Sequence, residues 1–213
     1  DPIVDGSTLV VVISQSGETL DTMAALREAK RLGAKVLSIV NVVGSSIARE
    51  ADDVLYTWAG PEIAVATTKA YTTQLVLMDL VGLYLADLLG TVEQSEYDTI
   101  LSEMQLLPEK MRQFLSHTED IQYYASRYFN HDSIFFIGRN LDYAMGLEGS
   151  LKLKEISYIH SEAYASGELK HGTISLIEPG TLVVALGTYA PLFDKAMSNV
   201  VEVKARGAEV LAL

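Results

Sequence analysis

The sequence contains no cysteine, which excludes disulfide bonds, thiolate metal ligands and a cysteine nucleophile from these 213 residues. Basic residues are also few, since 16 Lys and Arg stand against 28 Asp and Glu and give a net charge of −12. Such a chain has no basic stripe to neutralise phosphates, so we expect no nucleic-acid partner. Its four histidines show no metal-ligand spacing, and no metal ion or other cofactor is implied.

Long uninterrupted apolar runs are missing as well. The apolar stretch of residues 75–89 is broken by Asp79 and Asp87, a pattern that indicates a buried helix rather than a membrane span. The sequence shows no signal-peptide pattern, so we expect a soluble, cytoplasmic protein without a membrane partner. With 49% hydrophobic residues the chain can bury a core, as one large domain or two small ones.

The most informative stretch is residues 14–19, Ser-Gln-Ser-Gly-Glu-Thr. It follows the β-branched run 9–13, which predicts a buried parallel strand, and precedes residues 20–32, which predict a crossover helix. A turn at that position gathers free backbone N–H groups at the positive end of the helix dipole.

This turn carries the side chains of an anion site. Ser14, Ser16 and Thr19 supply hydroxyls, Gln15 supplies an amide, and Gly17 would let the backbone approach a ligand closely. The set suits a phosphate monoester, although the turn contains no Lys or Arg. The alternative is an ordinary strand–helix turn in which Ser or Thr caps the helix and no ligand binds.

Two further strands and two further helices follow. Residues 35–40 and 54–57 are predicted strands, and residues 41–46 form a second strand-to-helix turn before a short helix over 47–51. We predict that residues 60–62 open a long helix ending near residue 89. Thr67 and Thr68, in its first turns, either add hydroxyls to the phosphate pocket or are ordinary polar surface.

Residues 91–130 are charged and helical in period, and they read as a connector of two helices broken at Pro108, roughly 93–107 and 109–129. Beyond them the α/β pattern returns as a repeat: residues 9–13 match 182–186, and residues 33–37 match 207–211. In the second copy the three hydroxyls are replaced by Gly187, Tyr189 and Leu192. Only the first copy therefore carries the predicted phosphate turn.

A second group of candidate residues lies in 147–172. Glu148, Lys152 and Glu155 are spaced so that a helix places them on one face. Such spacing is typical of a solvated salt-bridge stripe, but the apolar neighbours favour a largely buried helix. His171 follows in a turn flanked by glycine, where a lone histidine is more often structural than catalytic. His117, His131 and His160 are interpreted as structural or surface residues.

Together, a phosphate turn, a carboxylate, an ammonium and an imidazole fit proton transfer between adjacent carbons of a sugar through an enediol. Residues 14–19, 41–46, 62–74 and above all 147–172 resemble the isomerase domain of the glutamine–fructose-6-phosphate aminotransferases, a tandem pair of sugar-isomerase (SIS) folds. The resemblance implies two flavodoxin-like α/β sandwiches with parallel sheets, both truncated, over residues 1–91 and 132–213, joined by a helical connector over 92–131.

The resemblance also implies roles for individual residues. Ser14, Gln15, Ser16 and Thr19 would bind the phosphate of fructose 6-phosphate, and Val65 and Thr67 would line the sugar pocket. Glu155 would move the proton between C1 and C2 with support from Lys152 and Glu148. His171 would assist ring opening and reach the site of a neighbouring subunit, which implies a homodimer.

Several parts of that family are absent from these residues. They are the glutaminase domain of the parent chain with its N-terminal cysteine, an initial strand with a Gly-Thr-Ser-type loop, and a C-terminal tail with a Schiff-base lysine. Thr173 also replaces a usual proline. We therefore expect a fragment, inactive alone, of an enzyme that makes glucosamine 6-phosphate for amino-sugar biosynthesis. The alternatives are a fructosamine-6-phosphate deglycase and a non-catalytic SIS module that senses a phosphosugar.

Overall fold

The computed structural model describes residues 2–213, which divide into a first unit up to Met111 and a second unit from Arg112 to Leu213. Each unit is an α/β structure with its own all-parallel sheet. Among the described residues, no helix combines the length and the apolar character that a membrane span requires.

The first unit contains a three-stranded sheet in the order β1-β2-β3. Leu9 pairs with Lys35 and Ser14 with Val40 in the parallel register of β1 and β2. The elements are β1 (Leu9–Ser14), α1 (Leu20–Arg31), β2 (Lys35–Val40), α2 (Ser46–Glu50), β3 (Asp53–Tyr56), α3 (Thr68–Leu88) and most of α4 (Gln94–Leu115). The predicted alternation of strand and helix is confirmed here.

The core cluster of this unit lies on one face of the sheet, although Ile39 of β2 is fully buried on the other face. Val12, Val36 and Val40 are buried there in one cluster with Leu26 of α1 and Ile47 of α2. On the other face of β1, Val11 and Ile13 keep 38% and 42% of their surface exposed. The prediction of a fully buried strand is therefore only half right, because an apolar β-branched run identifies a strand but not how many of its faces are covered.

The long helix α3 begins later than predicted, at Thr68 rather than near residue 60. Thr67 stands in the left-handed region with φ 58° and ψ 45°, which ends the preceding loop. The Glu62 carboxylate accepts the N–H groups of Ala64 and Ala70, both at 3.2 Å, and so fastens that loop to the first turn of the helix. Val65 consequently lies in a loop and not on a helix.

The helical region after α3 also differs from the prediction at Pro108. Helix α4 runs through Pro108 to Leu115, and α5 spans Glu119–Tyr128. An apolar stripe continues along the helix on both sides of the proline, formed by Met104, Leu107 and Met111 at spacings of three and four residues. A break at Pro108 would interrupt this stripe. These helices are divided between the two units, and the connector boundaries at 91 and 131 stay a prediction.

The second unit contains a four-stranded sheet in the order β5-β4-β6-β7 around a core that includes Phe135, Ile137, Leu169, Val183 and Val203. Strand β5 was not among the predicted elements. The unit consists of β4 (Ser133–Gly138), α6 (Leu141–Ser157), β5 (His160–Ala165), 3₁₀ helices at Ser166–His171 and Thr173–Leu176, β6 (Leu182–Ala185), a 3₁₀ turn at Ala190–Leu192, α7 (Phe193–Ala205) and β7 (Glu209–Ala212).

The predicted repeat corresponds to equivalent structure in both units. Strands β6 and β7 are parallel neighbours with a helix between them along the chain, as β1 and β2 are. Leu182 pairs with Glu209 at the position where Leu9 pairs with Lys35 in the first unit. The loops that follow β1 and β6 are therefore structural counterparts.

Candidate active site

The turn between β1 and α1 is closed by its own hydroxyl groups. Ser14 is 6% exposed, and its Oγ accepts the Gly17 N–H at 3.1 Å while lying 2.9 Å from Thr19 Oγ1. Ser16 Oγ accepts the Glu18 N–H at 3.2 Å. The sequence prediction that these hydroxyls share one turn at the carboxyl end of a strand agrees with the structure.

The alternative interpretation, a hydroxyl cap on α1, has little support in this geometry. Thr19 occupies the N-cap position with an extended backbone, yet within residues 2–213 its side chain makes no capping hydrogen bond to the helix. Its hydroxyl is paired with Ser14 instead. The Thr19 hydroxyl therefore leaves the first N–H groups of the helix available to another acceptor, as an anion site requires.

Both the backbone conformation and the packing at position 17 require glycine. Its φ of 67° is in the left-handed region, and an added Cβ would lie 2.0 Å from Ser45 Oγ. Its carbonyl accepts the Ile47 N–H at 2.9 Å. Close approach of a ligand at Gly17 stays a prediction, because packing against Ser45 already demands glycine there.

Glu18 connects the same turn to α2. Its Oε1 accepts the Ser46 N–H at 2.8 Å, and this hydrogen bond, with the nearby charge of Arg49, holds the pKa of Glu18 below its usual value. Gly17 and Glu18 thus attach the turn to the start of α2, because they accept the N–H groups of Ile47 and Ser46. The hydroxyl groups of the turn take no part in this attachment.

Asn41, which the sequence reasoning did not single out, joins the three loops at the carboxyl edge of the first sheet. Its N–H donates to the Gln15 carbonyl at 3.1 Å, and its Nδ2 donates to the Gly60 carbonyl at 2.7 Å. Its Oδ1 accepts the Thr57 hydroxyl and the Ala59 N–H. An amide directly after a buried strand was the signal that could have identified it.

The two predicted sugar-pocket residues lie in the loop before α3. Val65 is 93% exposed, and the Thr67 hydroxyl donates to the Val65 carbonyl at 3.0 Å. In the described part of the chain, neither residue has a hydrogen bond to residues 14–19. Their role in binding a sugar stays a prediction.

In the second unit, α6 brings three charged side chains together as the spacing predicted. Lys152 Nζ lies 2.6 Å from Glu155 Oε2 and 3.5 Å from Glu148 Oε1, and the three side chains are 21–32% exposed. The hydrogen bond to Glu155, together with the charge of Glu148, raises the pKa of Lys152 despite partial burial. An ammonium ion therefore stands between two carboxylates on one helix face.

The prediction that this helix is largely buried is wrong for its outer face. Helix α6 buries Asp142, Gly146 and Ser150, which recur every four residues, whereas Leu147 and Leu151 are 47% and 42% exposed. Small residues let the helix approach the sheet closely. Leu147 and Leu151 consequently lie toward solvent, whereas the charged cluster of Glu148, Lys152 and Glu155 is partly covered.

His171 ends a 3₁₀ helix over Ser166–His171 and is exposed, followed by Gly172 with φ 144°. The helix is anchored by Leu169, which is 1% exposed, and by Lys170 Nζ at 2.8 Å from Glu202 Oε1. Within residues 2–213 His171 has no hydrogen bond to the α6 cluster. Over the same range, no group of three His, Asp or Glu side chains is placed to hold a metal ion.

Comparison with known families identifies the fold that carries these residues. The profile of the SIS domain family matches residues 2–84 and 127–213. The chain belongs to the SIS domain family. One SIS segment falls in each structural unit, and the hydroxyl turn lies in the first while the α6 cluster lies in the second.

The full chain is similar to a specific group of SIS proteins. It is 58% identical over 213 residues to the glutamine–fructose-6-phosphate aminotransferase (isomerizing) of Clostridium acetobutylicum, and 59% identical over 212 residues to that of Caldanaerobacter subterraneus. The chain spans 35% of the length of each relative. The C-terminal domain of glucosamine-fructose-6-phosphate aminotransferase from Francisella tularensis is 40% identical with a TM-score of 0.95, covering 100% of this chain and 60% of that chain.

These similarities confirm the resemblance drawn from the sequence and the parallel α/β SIS fold that it implied. They do not test the roles of single side chains. Of the predicted site residues, the structure groups Ser14, Ser16 and Thr19 in one unit and Glu148, Lys152 and Glu155 in the other.

Proposed function

We propose that this chain is the sugar-isomerase part of a longer cytoplasmic enzyme that converts fructose 6-phosphate and ammonia into glucosamine 6-phosphate. The observation that carries the proposal is the cluster of Lys152 between Glu148 and Glu155, in a chain similar over its whole length to enzymes of that name. A binding module that only senses a phosphosugar would not need this acid–base cluster.

In this proposal the first unit binds the phosphate. The hydroxyls of Ser14, Ser16 and Thr19 and the Gln15 amide surround the dianion at the start of α1. Because the turn has no Lys or Arg and the chain carries a net charge of −12, hydrogen bonds and the helix dipole supply the attraction. Val65 and Thr67, in the loop before α3, line the sugar.

The second unit performs the chemistry in this proposal. The His171 imidazole assists opening of the sugar ring. Ammonia then condenses with the C2 carbonyl of the open chain, and water leaves to give an imine. The Glu155 carboxylate removes a proton from C1 of this imine and returns it to C2, through an intermediate with a double bond between the two carbons. Lys152, held by Glu148, orients Glu155 and offsets negative charge around it.

The remaining parts of the reaction come from outside these residues. We propose that a glutaminase domain of the same parent chain supplies ammonia, which agrees with the 35% share of the relatives that this chain covers. We also propose a homodimer in which His171 of one subunit completes the site of its neighbour. The exposed position of His171 at the end of its 3₁₀ helix is compatible with that role.

The variant Glu155→Gln in the full-length enzyme tests the proposal. We expect the rate of glucosamine 6-phosphate formation to fall about 100- to 10,000-fold, since a general base is lost, while the dissociation constant for fructose 6-phosphate stays within about threefold. Glu178→Gln, which removes the same charge from an exposed loop, is the matched control and should leave the rate unchanged.

Normal turnover by Glu155→Gln would show that Glu155 is not the base. Product analysis in the wild-type enzyme separates the deglycase alternative, which would release glucose 6-phosphate from a glycated amine and form no glucosamine 6-phosphate.

A further inference from the structure

The loop after β6 is the structural counterpart of the proposed phosphate turn, and a side chain of the second unit occupies it. Residues 182–186 repeat residues 9–13, and the strand pairings place both loops at equivalent positions. By this alignment Thr188 and Tyr189 correspond to Gln15 and Ser16. The second loop thus retains the backbone position of an anion site although its three hydroxyl positions have changed.

A carboxylate from within the second unit fills this position. Asp142 is 3% exposed, its Oδ1 accepts the Thr188 hydroxyl at 2.5 Å, and its Oδ2 accepts the Tyr189 N–H at 3.1 Å. The donors that would face a bound anion in the first unit therefore face an internal anion in the second.

The fold around the start of α6 places the Asp142 side chain beside the loop that follows β6. Asp142 lies in the first turn of α6, where a negative charge is favoured by the helix dipole. Gly138 at the end of β4 makes this approach possible, because a Cβ there would come within 2.5 Å of the Asp142 backbone. Within residues 2–213 no Lys or Arg forms an ion pair with Asp142, so its buried charge depends on these two donors and the helix terminus.

We propose that the loop of residues 187–189 is an anion-binding site closed by Asp142, which makes Asp142 the residue that keeps the second unit from taking an external oxyanion. The inference concerns the second unit alone and holds whether or not the first unit binds a phosphosugar. It gives a physical reason why two copies of one fold would bind different parts of a substrate.

Chemical rescue by formate, which replaces the lost carboxylate, tests this inference in the full chain. In Asp142→Ala the Thr188 and Tyr189 donors lose their acceptor, and we expect a lower thermal midpoint than wild type. Sodium formate at ten times its dissociation constant should raise that midpoint by about 3–6 °C over sodium chloride of equal ionic strength, with saturation. The wild type should show no such difference.

Two matched variants separate an anion site from a general effect of formate. Asp142→Asn fills the same space without charge and should not respond to formate. Asp194→Ala removes an exposed carboxylate from the first turn of α7 and should behave as the wild type does. If Asp142→Ala is unfolded, the yield of folded protein on refolding in formate replaces the thermal midpoint. No formate dependence in either measurement, or equal dependence in all variants, would overturn the inference.

Discussion

Single polar residues decide how the loops of the first unit are held. Asn41 stands at the end of β2 and connects the turn of residues 14–19 with the loop before α3. It does so through its backbone N–H and both polar atoms of its side-chain amide. The sequence alone could place Asn41 after a strand, but not its partners, because three of them lie 16 to 19 positions further along the chain and the fourth, Gln15, lies in the turn after β1. The hydroxyls of the turn were predictable because all their partners are local.

Tyr164 is a residue whose environment makes a pH-dependent prediction. Burial first, and then its hydrogen bond to Glu162, raise the pKa of Tyr164 to about 12. Since the unfolded chain loses the Tyr164 hydroxyl proton near pH 10, the contribution of Tyr164 to stability is complete below pH 10. It is lost as pH rises from 10 towards 12. We expect Tyr164→Phe to flatten the fall of the urea midpoint across this window.

Measuring urea midpoints between pH 9 and pH 11.5 for both proteins checks this expectation. The other ten tyrosines are common to wild type and variant, so the difference between the two curves reports on Tyr164. Parallel curves over the whole window would contradict the assigned environment.

At the scale of elements, the hydrophobic pattern predicted whether a segment is a helix or a strand better than it predicted how far that segment is buried. The strands at 35–40 and 133–138 and the helix after residue 20 agree with the structure, because each has a clear period and clear ends. The start of α3 was wrong because Glu62 and the left-handed Thr67 form a loop that composition does not reveal. Burial of α6 was misjudged because the small residues Gly146 and Ser150 face the sheet, whereas Leu147 and Leu151 do not.

The packing of α6 can be tested directly. A Cβ at Gly146 would already contact Phe136 at 3.6 Å, with Leu186 and Ala163 also within 4 Å, so the two further methyl groups of Gly146→Val would crowd these neighbours. We expect it to lower the free energy of unfolding by about 1–3 kcal/mol, whereas Leu147→Ala on the outer face should change it by less than about 0.5 kcal/mol. Urea denaturation of both variants measures this, and the reverse order would contradict the assignment of faces.

At the scale of the whole molecule, the proposed function depends on a division of work between two copies of one fold. The hydroxyl turn is in the first unit and the α6 cluster is in the second. The repeat was detectable in the sequence because its strands share an apolar pattern, and the loss of hydroxyls in the second copy was equally visible. That both sites act on one sugar is the central claim, and it concerns function rather than fold.

Exchange of the C1 protons of fructose 6-phosphate with deuterated water, followed by NMR in the full-length enzyme, tests this claim most directly. Because Ser16→Ala would remove the proposed hydrogen bond to the phosphate but leave Glu155 intact, we predict that the substrate concentration for half-maximal exchange rises about 5- to 150-fold. The maximal rate should stay within about twofold, and Ser95→Ala on exposed α4 should leave both quantities unchanged. An unchanged concentration dependence in Ser16→Ala would contradict the account.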